Sequence, residues 1–528
     1  MSIIVSNVRL PFDCPEQQAV REALRLTGIA EGSVQAAVCR ASIDARRGGL
    51  SRVYSVRIDG MQDERAFAEN LQMPFVRFKE DTPPAIKRGN KKLEHRPVVV
   101  GFGPAGLFAA YTLAGNGYAP IVLERGGDLD ARDRAVKNFW AGGALDTECN
   151  IQFGEGGAGA YSDGKLTTRI GDSLCDTVLQ TLHLCGAPAE ILRQAKPHIG
   201  TDILKKVVRE MRRSIIAAGG EVRFGARLTG VTLRNGALRA VAAEGDELAC
   251  ERAVLAIGHS ARDTFFALHE NGVYLEPKPF SVGVRIEHLQ SEIDRALYGK
   301  HAGHPALPPA EYSLSRREGG RACYSFCMCP GGVVVAAQSE ENTVVTNGMS
   351  YHARAGKNAN AALAVSVDPA DFADGTPFGG IHLQRQIERA AFAQTGGYRA
   401  PCQRVGDFLR DEPSAGPGQV APSYPIGVSF GQAAASLPPA ARQMLRDSLP
   451  FFGKKIKGFD SADALLTGPE TRTSSPVRMK RGDDLFSLSG AGLIPCGEGA
   501  GYAGGIMSAA VDGIKAANKI MEEFQPFV

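Results

Sequence analysis

Short hydrophobic runs surround one amphipathic segment in the first eighty residues of the chain. Strand-like runs occupy residues 3–10, 34–46 and 50–58, and residues 16–29 place apolar side chains at helical spacing. This pattern predicts a small α+β module over residues 1–85. A stretch rich in Pro, Gly and Lys, without apolar periodicity, then predicts a linker over residues 86–96.

The pattern next changes to a strand, a glycine turn, a helix and a second strand. A buried-strand run at residues 97–100 leads at once into Gly101-Phe-Gly103-Pro-Ala-Gly106, and a second run at residues 119–123 ends at Glu124. Gly101 permits a sharp turn, Gly103 lets the backbone approach a pyrophosphate, and Gly106 lets the helix pack against the sheet. The Glu124 carboxylate can accept hydrogen bonds from a ribose. The unit predicts a dinucleotide site that fits NAD as well as FAD.

A second glycine-rich stretch, residues 153–165, bears on the choice between these cofactors. Gly154, Gly156 and Gly159 spell another dinucleotide fingerprint, but only Ile151-Gln152-Phe153 precedes it and no apolar helix follows it. We therefore reject an independent nicotinamide site. We expect the loop to lie along a flavin or a phosphate, with a plain loop as the alternative.

Two later segments complete the prediction of an FAD site. Residues 221–231 are followed, after a hairpin, by a buried strand at residues 253–258 that ends in glycine. Near the C-terminus, Gly497-Glu498 follows a strand, and Gly504-Gly505 opens a helix over residues 507–521. An acid after a strand can bind a ribityl hydroxyl, and the positive end of this helix can stabilise the negative charge of reduced flavin.

The predicted cofactor-binding residues come from these segments, and no metal site is predicted. They are Gly101, Gly103, Pro104, Ala105, Gly106, Glu124, Arg125, Gly156, Gly157, Ala158, Gly159, Ser162, Asp163, Gly164, Lys165, Leu228, Ala256, Gly258, Gly497, Glu498, Gly504, Gly505 and Ile506.

The segments match, in order, those of the glutathione-reductase-type FAD fold, with Ala256-Ile-Gly258 and Gly497-Glu498 as two of its motifs. More narrowly, the chain resembles a bacterial family of uncharacterised FAD-dependent dehydrogenases over residues 90–528 and in its N-terminal module. The strings GEGGAGAYSDGKLTTR, YSFCMCPGGVVVAAQSEENTVVTNGMS, ETRTSSPVR and GEGAGYAGGI carry this resemblance. It implies an FAD-containing oxidoreductase whose substrate is unknown. Glu498 stands where many relatives of the wider fold have Asp, which changes the reach of the carboxylate.

The expected fold is α/β, with a Rossmann-like FAD-binding domain, an inserted mostly-β substrate domain and the small N-terminal α+β module. We expect the FAD-binding domain to comprise residues 97–270 and 471–528, and the substrate domain to comprise residues 271–470. Within the insert, residues 279–286 and 331–338 have strand patterns, and residues 384–394 have a helical pattern.

The candidate catalytic residues are Cys327, Cys329, Arg285, Arg472 and His259. Cys327 and Cys329 form a CxC pair, which is either a redox dithiol or two buried or loop thiols. The second alternative stays open because this spacing strains a disulfide. Zinc would need further ligands nearby. The arginines can bind an anionic or carbonyl-bearing substrate, or they can serve domain packing. His259 either acts as an acid or base or has the structural role of capping its turn.

Composition narrows the partners and the compartment. The 528-residue chain has a net charge of +3 and eleven scattered cysteines, which indicate reduced thiols in the cytoplasm. The apolar runs are too short for a transmembrane helix, and the N-terminus does not have the pattern of a signal peptide. The basic residues Arg46, Arg47, Lys87, Arg88, Lys91 and Lys92 form either a nucleic-acid arm or a solvated linker.

Three functions are compatible with these patterns. The leading hypothesis is a dehydrogenase or reductase that transfers a hydride between flavin N5 and an unidentified small molecule. NAD(P)H would then be a transient electron donor or would not be used. The alternatives are a flavoprotein that acts on RNA through the basic N-terminal module and a non-catalytic FAD-binding redox sensor. We expect no stable nucleic-acid partner and no membrane partner, and the patterns predict no particular oligomeric state.

Overall fold

The computed structural model of the chain describes residues 2–45, 49–80 and 88–527. Its first part contains β1 (Ser2–Pro11), α1 (Glu16–Thr27), β2 (Gln35–Asp44), β3 (Ser51–Asp59), α2 (Glu64–Leu71) and β4 (Val76–Lys79). The strands form one antiparallel sheet in the order β2-β3-β1-β4. This βαββαβ arrangement is ferredoxin-like. The three predicted strands and the predicted helix of this part are confirmed.

Aromatic side chains of this N-terminal part lie in its core or against the rest of the chain. The core under the sheet includes or is packed by Tyr54, Phe67, Phe75 and Phe78. Phe12 packs edge-on against His301 and His304, with ring centroids 5.1 and 5.0 Å away. Because single-stranded nucleic acid stacks on exposed aromatic rings, these positions do not favour the RNA-binding alternative.

Part of the predicted linker packs against the end of the chain. The Gly89 N–H donates to the Met521 carbonyl oxygen at 2.9 Å, and Lys91 forms a parallel bridge with Phe524. Residues 88–91 therefore run beside the C-terminal helix. Three residues of the predicted basic arm, Arg46, Arg47 and Lys87, lie outside the described residues.

The nucleotide-binding part comes next in the chain. Its elements are β5 (Val98–Val100), α3 (Pro104–Gly115), β6 (Ile121–Leu123), α4 (Leu129–Trp140), α5 (Leu174–Leu184), α6 (Thr201–Ala217), β7 (Glu221–Arg223), β8 (Leu228–Arg234), β9 (Ala237–Ala243), β10 (Asp246–Ala249), β11 (Ala253–Leu255) and α7 (Arg262–Glu270). Short 3-10 helices occupy Ala158–Tyr161 and Ala189–Leu192.

The inserted part and the returning C-terminal segment follow. The insert contains β12 (Leu275–Pro277), β13 (Phe280–Leu289), α8 (Gln290–Tyr298), β14 (Ser315–Glu318), β15 (Arg321–Cys329), β16 (Val333–Ala336), β17 (Thr346–Met349), β18 (Asn358–Val367), α9 (Gly379–Thr395), β19 (Ala400–Arg404), α10 (Val405–Arg410), β20 (Val428–Phe430), α11 (Pro439–Gly453) and β21 (Leu465–Glu470). The chain ends with β22 (Val477–Met479), β23 (Leu493–Pro495) and α12 (Ile506–Glu523). None of the helices in the described segments has the length and apolar character that a bilayer-spanning helix needs.

A five-stranded, fully parallel sheet has the order β23-β11-β5-β6-β7. Its short strands are apolar because hydrophobic cores cover both faces. On one face α12 packs so closely on α3 that a Cβ at Gly513 would lie 2.1 Å from the Ala105 carbonyl oxygen. The predicted α/β, Rossmann-like fold is confirmed, including the return of the C-terminal segment to its edge.

A seven-stranded sheet dominates the insert, with the order β14-β15-β18-β13-β21-β19-β20. Its pairs are antiparallel except for β19 and β20. The strand predicted at residues 331–338 is shorter: it is β16, which pairs with β17 outside the large sheet. The helix predicted at residues 384–394 is the central part of α9.

Candidate cofactor site

The carboxyl ends of the parallel strands bring the predicted cofactor residues to one edge of the sheet. β5 leads into Gly101, β6 into Glu124, β11 into Ala256 and β23 towards Gly497. In open α/β sheets, ligands bind outside this edge. Segments from both ends of the nucleotide-binding part therefore meet at one place.

Of the three glycines in the turn after β5, two leave no room for a Cβ, and only Gly103 does. Gly101 has a φ of +91°, and a Cβ there would lie 2.3 Å from the Ala256 carbonyl oxygen. A Cβ at Gly106 would lie 1.9 Å from the Gly101 carbonyl oxygen. By contrast, the described atom nearest to a Cβ at Gly103 is the Gly157 Cα, at 3.6 Å. Gly103 is the N-cap of α3, so the unpaired N–H groups of the first helical turn lie beside an open position that suits a phosphate.

The Glu124 carboxylate holds the backbone around this turn. It is buried, and its oxygens accept hydrogen bonds from the N–H groups of Phe102 at 2.8 Å and of Gly126 and Gly154 at 2.9 Å each. A carboxylate has about four acceptor positions. Room for about one further donor, such as a ribose hydroxyl, therefore remains.

Arg132, on α4, binds the backbone carbonyl oxygens of the same region. Its guanidinium is fully buried and donates to the carbonyl oxygens of Asn150 at 2.8 Å, Ile151 at 2.6 Å, Gly154 at 3.3 Å and Glu155 at 2.7 Å. The sequence analysis missed this residue, because an arginine in an amphipathic helix has the pattern of a surface residue. Burial lowers the pKa of the guanidinium.

Residues 156–159 lie between the start of α3 and the start of α12. Gly156 and Gly157 have positive φ values, and a 3-10 helix then begins at Ala158. A Cβ at Gly159 would lie 3.2 Å from the Ile506 side chain and 3.5 Å from that of Pro104. Gly159 therefore lies between the N-termini of α3 and α12.

The end of this loop is tied to the insert. The Ser162 hydroxyl donates to the Gly159 carbonyl oxygen at 2.7 Å and accepts from the Gly164 N–H at 3.0 Å. Asp163 accepts hydrogen bonds from the Arg354 guanidinium and the Ser350 hydroxyl. Lys165 Nζ donates to the Met328 carbonyl oxygen. Asp163 and Lys165 thus connect the loop to the neighbouring part.

The C-terminal segment supplies an unpartnered carboxylate and an open helix start. Glu498 is half-buried; its backbone carbonyl oxygen accepts from the Gly501 N–H at 3.0 Å, but its carboxylate has no hydrogen bond or ion pair with any residue in the described ranges. Burial raises the pKa of its carboxyl to about 7, and the nearby Lys278 opposes this only in part. Gly504 and Gly505 are exposed, and Gly505, with a φ of +125°, is the N-cap of α12.

Three other predicted cofactor residues have protein neighbours. The Arg125 guanidinium lies between Glu148, at 3.0 Å, and Asp263, at 2.8 Å. Leu228 belongs to a hydrophobic core. The Gly258 carbonyl oxygen would lie 2.5 Å from a Cβ at Gly499, so the loops after β11 and β23 touch. Cofactor contact by these residues stays a prediction.

The candidate arginines occupy buried ion pairs. Arg285 Nε lies 2.7 Å from a Glu470 oxygen across neighbouring strands. Arg472 Nη2 lies 3.2 Å from Glu388, which also binds Arg262 at 2.8 Å. These contacts agree with the packing role considered for both arginines, whereas substrate contact stays a prediction.

The two cysteines of the CxC pair differ in exposure. Cys329 is buried, whereas Cys327 is exposed and has a left-handed φ of +43° at a bulge in β15. Burial nevertheless raises the pKa of the Cys327 thiol to about 12. The thiol is therefore more shielded than the exposure of the whole residue indicates.

Two further charged or titratable groups lie near the C-terminal segment. His259 Nδ1 is 3.0 Å from the Ser260 hydroxyl oxygen, and burial, reinforced by Arg472, lowers the His259 pKa to about 3. Its imidazole is therefore neutral near neutral pH. Lys278 was not predicted: its Cδ would lie 3.1 Å from a Cβ at Gly501. Its sequence signal is only its place just before a buried strand.

One group in the described ranges has metal-ligand spacing. Atoms of Glu94, His95 and Glu251 lie within 4.8 Å of one another. The Glu251 carboxylate accepts hydrogen bonds from the backbone N–H groups of Glu94, at 3.0 Å, and His95, at 3.3 Å. These bonds explain the cluster without an ion.

Comparison with known proteins identifies the family. Residues 279–473 match a family model described as FAD-dependent protein, C-terminal domain-like. An uncharacterised protein from Clostridium beijerinckii is 47% identical over 530 residues, covering 99% of each chain. The chain belongs to the same family as this clostridial protein. FAD is its cofactor.

Solved structures with some likeness include glycine oxidase from Bacillus cereus and CtdE in complex with FAD and a substrate. The former has a TM-score of 0.34 and 9% identity, covering 82% of this chain and 99% of that one. The latter has a TM-score of 0.33 and 11% identity, covering 80% and 79%. Likeness at this level carries no argument about substrate or reaction, and the glutathione-reductase-type assignment stays a prediction.

The site fits the shape and charge of FAD. The open position at Gly103 and the first turn of α3 suit a pyrophosphate. The unpartnered carboxylate of Glu498 suits a ribityl hydroxyl, and the exposed N-terminus of α12 suits an electron-rich ring edge.

Arg132→Met is expected to weaken FAD binding at least about tenfold and to lower the free energy of unfolding by about 3 kcal/mol, because the buried guanidinium donates four hydrogen bonds. Titration followed by flavin fluorescence and urea unfolding measure the two effects. Arg134→Met is the matched control, since Arg134 is exposed on the same helix. Equal losses in the two variants would contradict the role given to Arg132.

Glu498→Gln is expected to remove a pH dependence of stability from the FAD-free protein. The folded-state pKa of about 7 exceeds the ordinary 4.5, so the folded state binds the extra proton between these values. Its free energy of unfolding therefore falls, by about 2 kcal/mol, as the pH rises through that window. The variant lacks the ionisable group and should lack this slope. Urea unfolding at about pH 5 and about pH 7.5 tests it, and parallel slopes would show that Glu498 is not desolvated.

Proposed function

We propose that this protein is an FAD-dependent oxidoreductase that transfers a hydride between flavin N5 and a small molecule. The observation that carries the proposal is the meeting of three features at one sheet edge: the N-terminus of α3, the loop ending at Lys165 and the open N-terminus of α12. Bound FAD supplies the hydride chemistry, and the protein supplies binding, orientation and electrostatics.

Each of these features has a defined role in the proposal. The first turn of α3 binds the pyrophosphate, Glu124 accepts from the adenosine ribose, and Glu498 accepts from the ribityl chain. The positive end of α12 stabilises negative charge on the reduced ring. The ammonium group of Lys278 interacts with Glu498, and the neutral imidazole of His259 lies within electrostatic range of Lys278, so both supply polar groups at this end of the site.

The insert supplies the substrate side of the site. Lys165 and Asp163 attach the cofactor loop to residues 328–354, so the insert lies directly beside that loop. The exposed residue Cys327 lies at this boundary, next to Met328, whose carbonyl oxygen accepts from Lys165. A substrate bound at this boundary would contact the insert.

The number of nucleotide-binding sheets indicates how NAD(P)H would bind. In the described part of the chain, the five-stranded sheet is the one sheet in which every pair is parallel. NAD(P)H would therefore bind transiently, if it is used.

All eleven cysteines lie in the described ranges and are unpaired, which supports a reducing compartment such as the cytoplasm.

Gly103→Ala is expected to lower FAD affinity at least about tenfold with little effect on the fold, because the added methyl group occupies the open position beside the first turn of α3. Flavin-fluorescence titration measures the affinity. Gly115→Ala is the matched control: it adds the same group to the same helix, where no described atom lies within 4 Å. Equal affinities in both variants would contradict the proposed pyrophosphate position.

Anaerobic reduction separates an enzyme from a redox-inert FAD scaffold. We expect the holoprotein to show the visible bands of oxidised flavin, to bleach with dithionite and with NADH or NADPH or its own substrate, and to recover with oxygen. The two nicotinamides are compared separately, by absorbance. Flavin that stays oxidised with NADH, NADPH and dithionite alike would contradict the proposed function.

A further inference from the structure

We infer that Cys327 and Cys329 form a redox dithiol that exchanges two electrons with FAD. The inference rests on the proposed function, because the flavin is the electron partner. Cys327 is an exposed residue, and Cys329, two positions along the same strand, is buried. An accessible cysteine beside a buried one suits the roles of attacking and resolving cysteine.

The backbone between the two cysteines is held in an unusual conformation. The bulge in β15 falls between Phe326 and Cys329, and Cys327 has a φ of +43°. Such a conformation is strained in a residue other than glycine and persists where neighbours hold it. The Cys329 sulfur lies 3.4 Å from the Cys327 carbonyl oxygen, so the buried sulfur lies against the backbone of its exposed partner.

Two cations hold this segment from opposite parts of the protein. Arg285 Nη1 lies 3.3 Å from the Cys327 carbonyl oxygen and 4.0 Å from the Cys329 sulfur. Lys165 Nζ donates to the Met328 carbonyl oxygen. Arg285 is itself fixed by Glu470, at 2.7 Å, and by the Asn360 oxygen, at 2.7 Å. The bulge is therefore built into a network of buried charges.

Lys165 also connects the dithiol to the cofactor site. It belongs to the loop that contains Gly159, where an added Cβ would lie 3.2 Å from the Ile506 side chain at the start of α12. Gly159 and Lys165 are six positions apart in the chain, which limits the distance between their Cα atoms to about 20 Å. The dithiol thus lies within one short loop of the helix end assigned to the flavin ring.

The chemistry balances with FAD as the oxidant. As the bond between the two sulfurs forms, the thiols release two protons and two electrons, and FAD becomes FADH2; the reverse reaction returns both thiols. The thiolate is the reactive form. Lys165 and Arg285 favour it, although burial raises the pKa of both thiols. The CxC spacing strains a disulfide, and strained disulfides are the more easily reduced ones.

An electron count on the air-oxidised holoprotein tests the inference. Anaerobic titration with dithionite should consume about four electrons per FAD in the natural protein, two for the flavin and two for the disulfide. Cys327→Ser and Cys329→Ser should each consume about two. Cys323→Ser is the matched control, because Cys323 is a buried cysteine on the same strand, and it should still consume about four.

Thiol counting after denaturation provides a second readout that does not depend on activity. Of the eleven cysteines, about nine should react before reduction and all of them after it, since one disulfide removes two thiols. A natural protein that takes up about two electrons per FAD and shows all its thiols before reduction overturns the inference and leaves the proposed function intact. A protein that binds no FAD overturns both.

Discussion

The backbone of residues 150–155 lies between two buried charges of opposite sign. Glu124 accepts from the Gly154 N–H, and Arg132 donates to four carbonyl oxygens of the same stretch. A buried charge without hydrogen bonds costs several kcal/mol, so each side chain is stable only while the peptide groups of this loop surround it. Because Glu124 also binds the Phe102 N–H in the turn after β5, the turn and the loop act as one unit. The shape of the cofactor site depends on that unit.

Buried ion pairs connect the nucleotide-binding part to the insert. Glu388, on α9, binds Arg262 from the nucleotide-binding part and Arg472 from the end of β21. Burial opposes the ionisation of Glu388, but the two arginines outweigh it and lower its pKa to about 2. The carboxylate therefore contributes stability above its ordinary pKa of about 4.5, and this contribution is lost as the pH falls towards 2. Loss of activity after substitution of Arg472 would consequently report on domain packing as well as on any contact with substrate.

Local patterns predicted the parts of the site that are local in the chain. The glycines from Gly101 to Gly106 and the acid at Glu124 form one continuous unit, so their spacing alone indicated strand, turn and helix. Arg132 and Lys278 were missed because their roles depend on which distant backbone lies beside them. The strand predicted at residues 331–338 was too long, since an apolar run does not tell which sheet it joins. Cys327 and Cys329 were noted, but their different exposure depends on a bulge that periodicity does not predict.

The insert lies in sequence between the segments that form the cofactor site, so its folding and cofactor binding depend on each other. β5 and β23 carry the two ends of the site, and the whole insert lies between them in sequence. A ligand that contacts both ends binds only the folded arrangement and stabilises it by mass action. Lys165 and Asp163 contact the insert, and Gly159 of the same loop lies beside the Ile506 side chain at the start of α12. A substrate that shifts the Cys327 bulge would therefore alter the surroundings of the flavin through this loop, even without touching the ring itself.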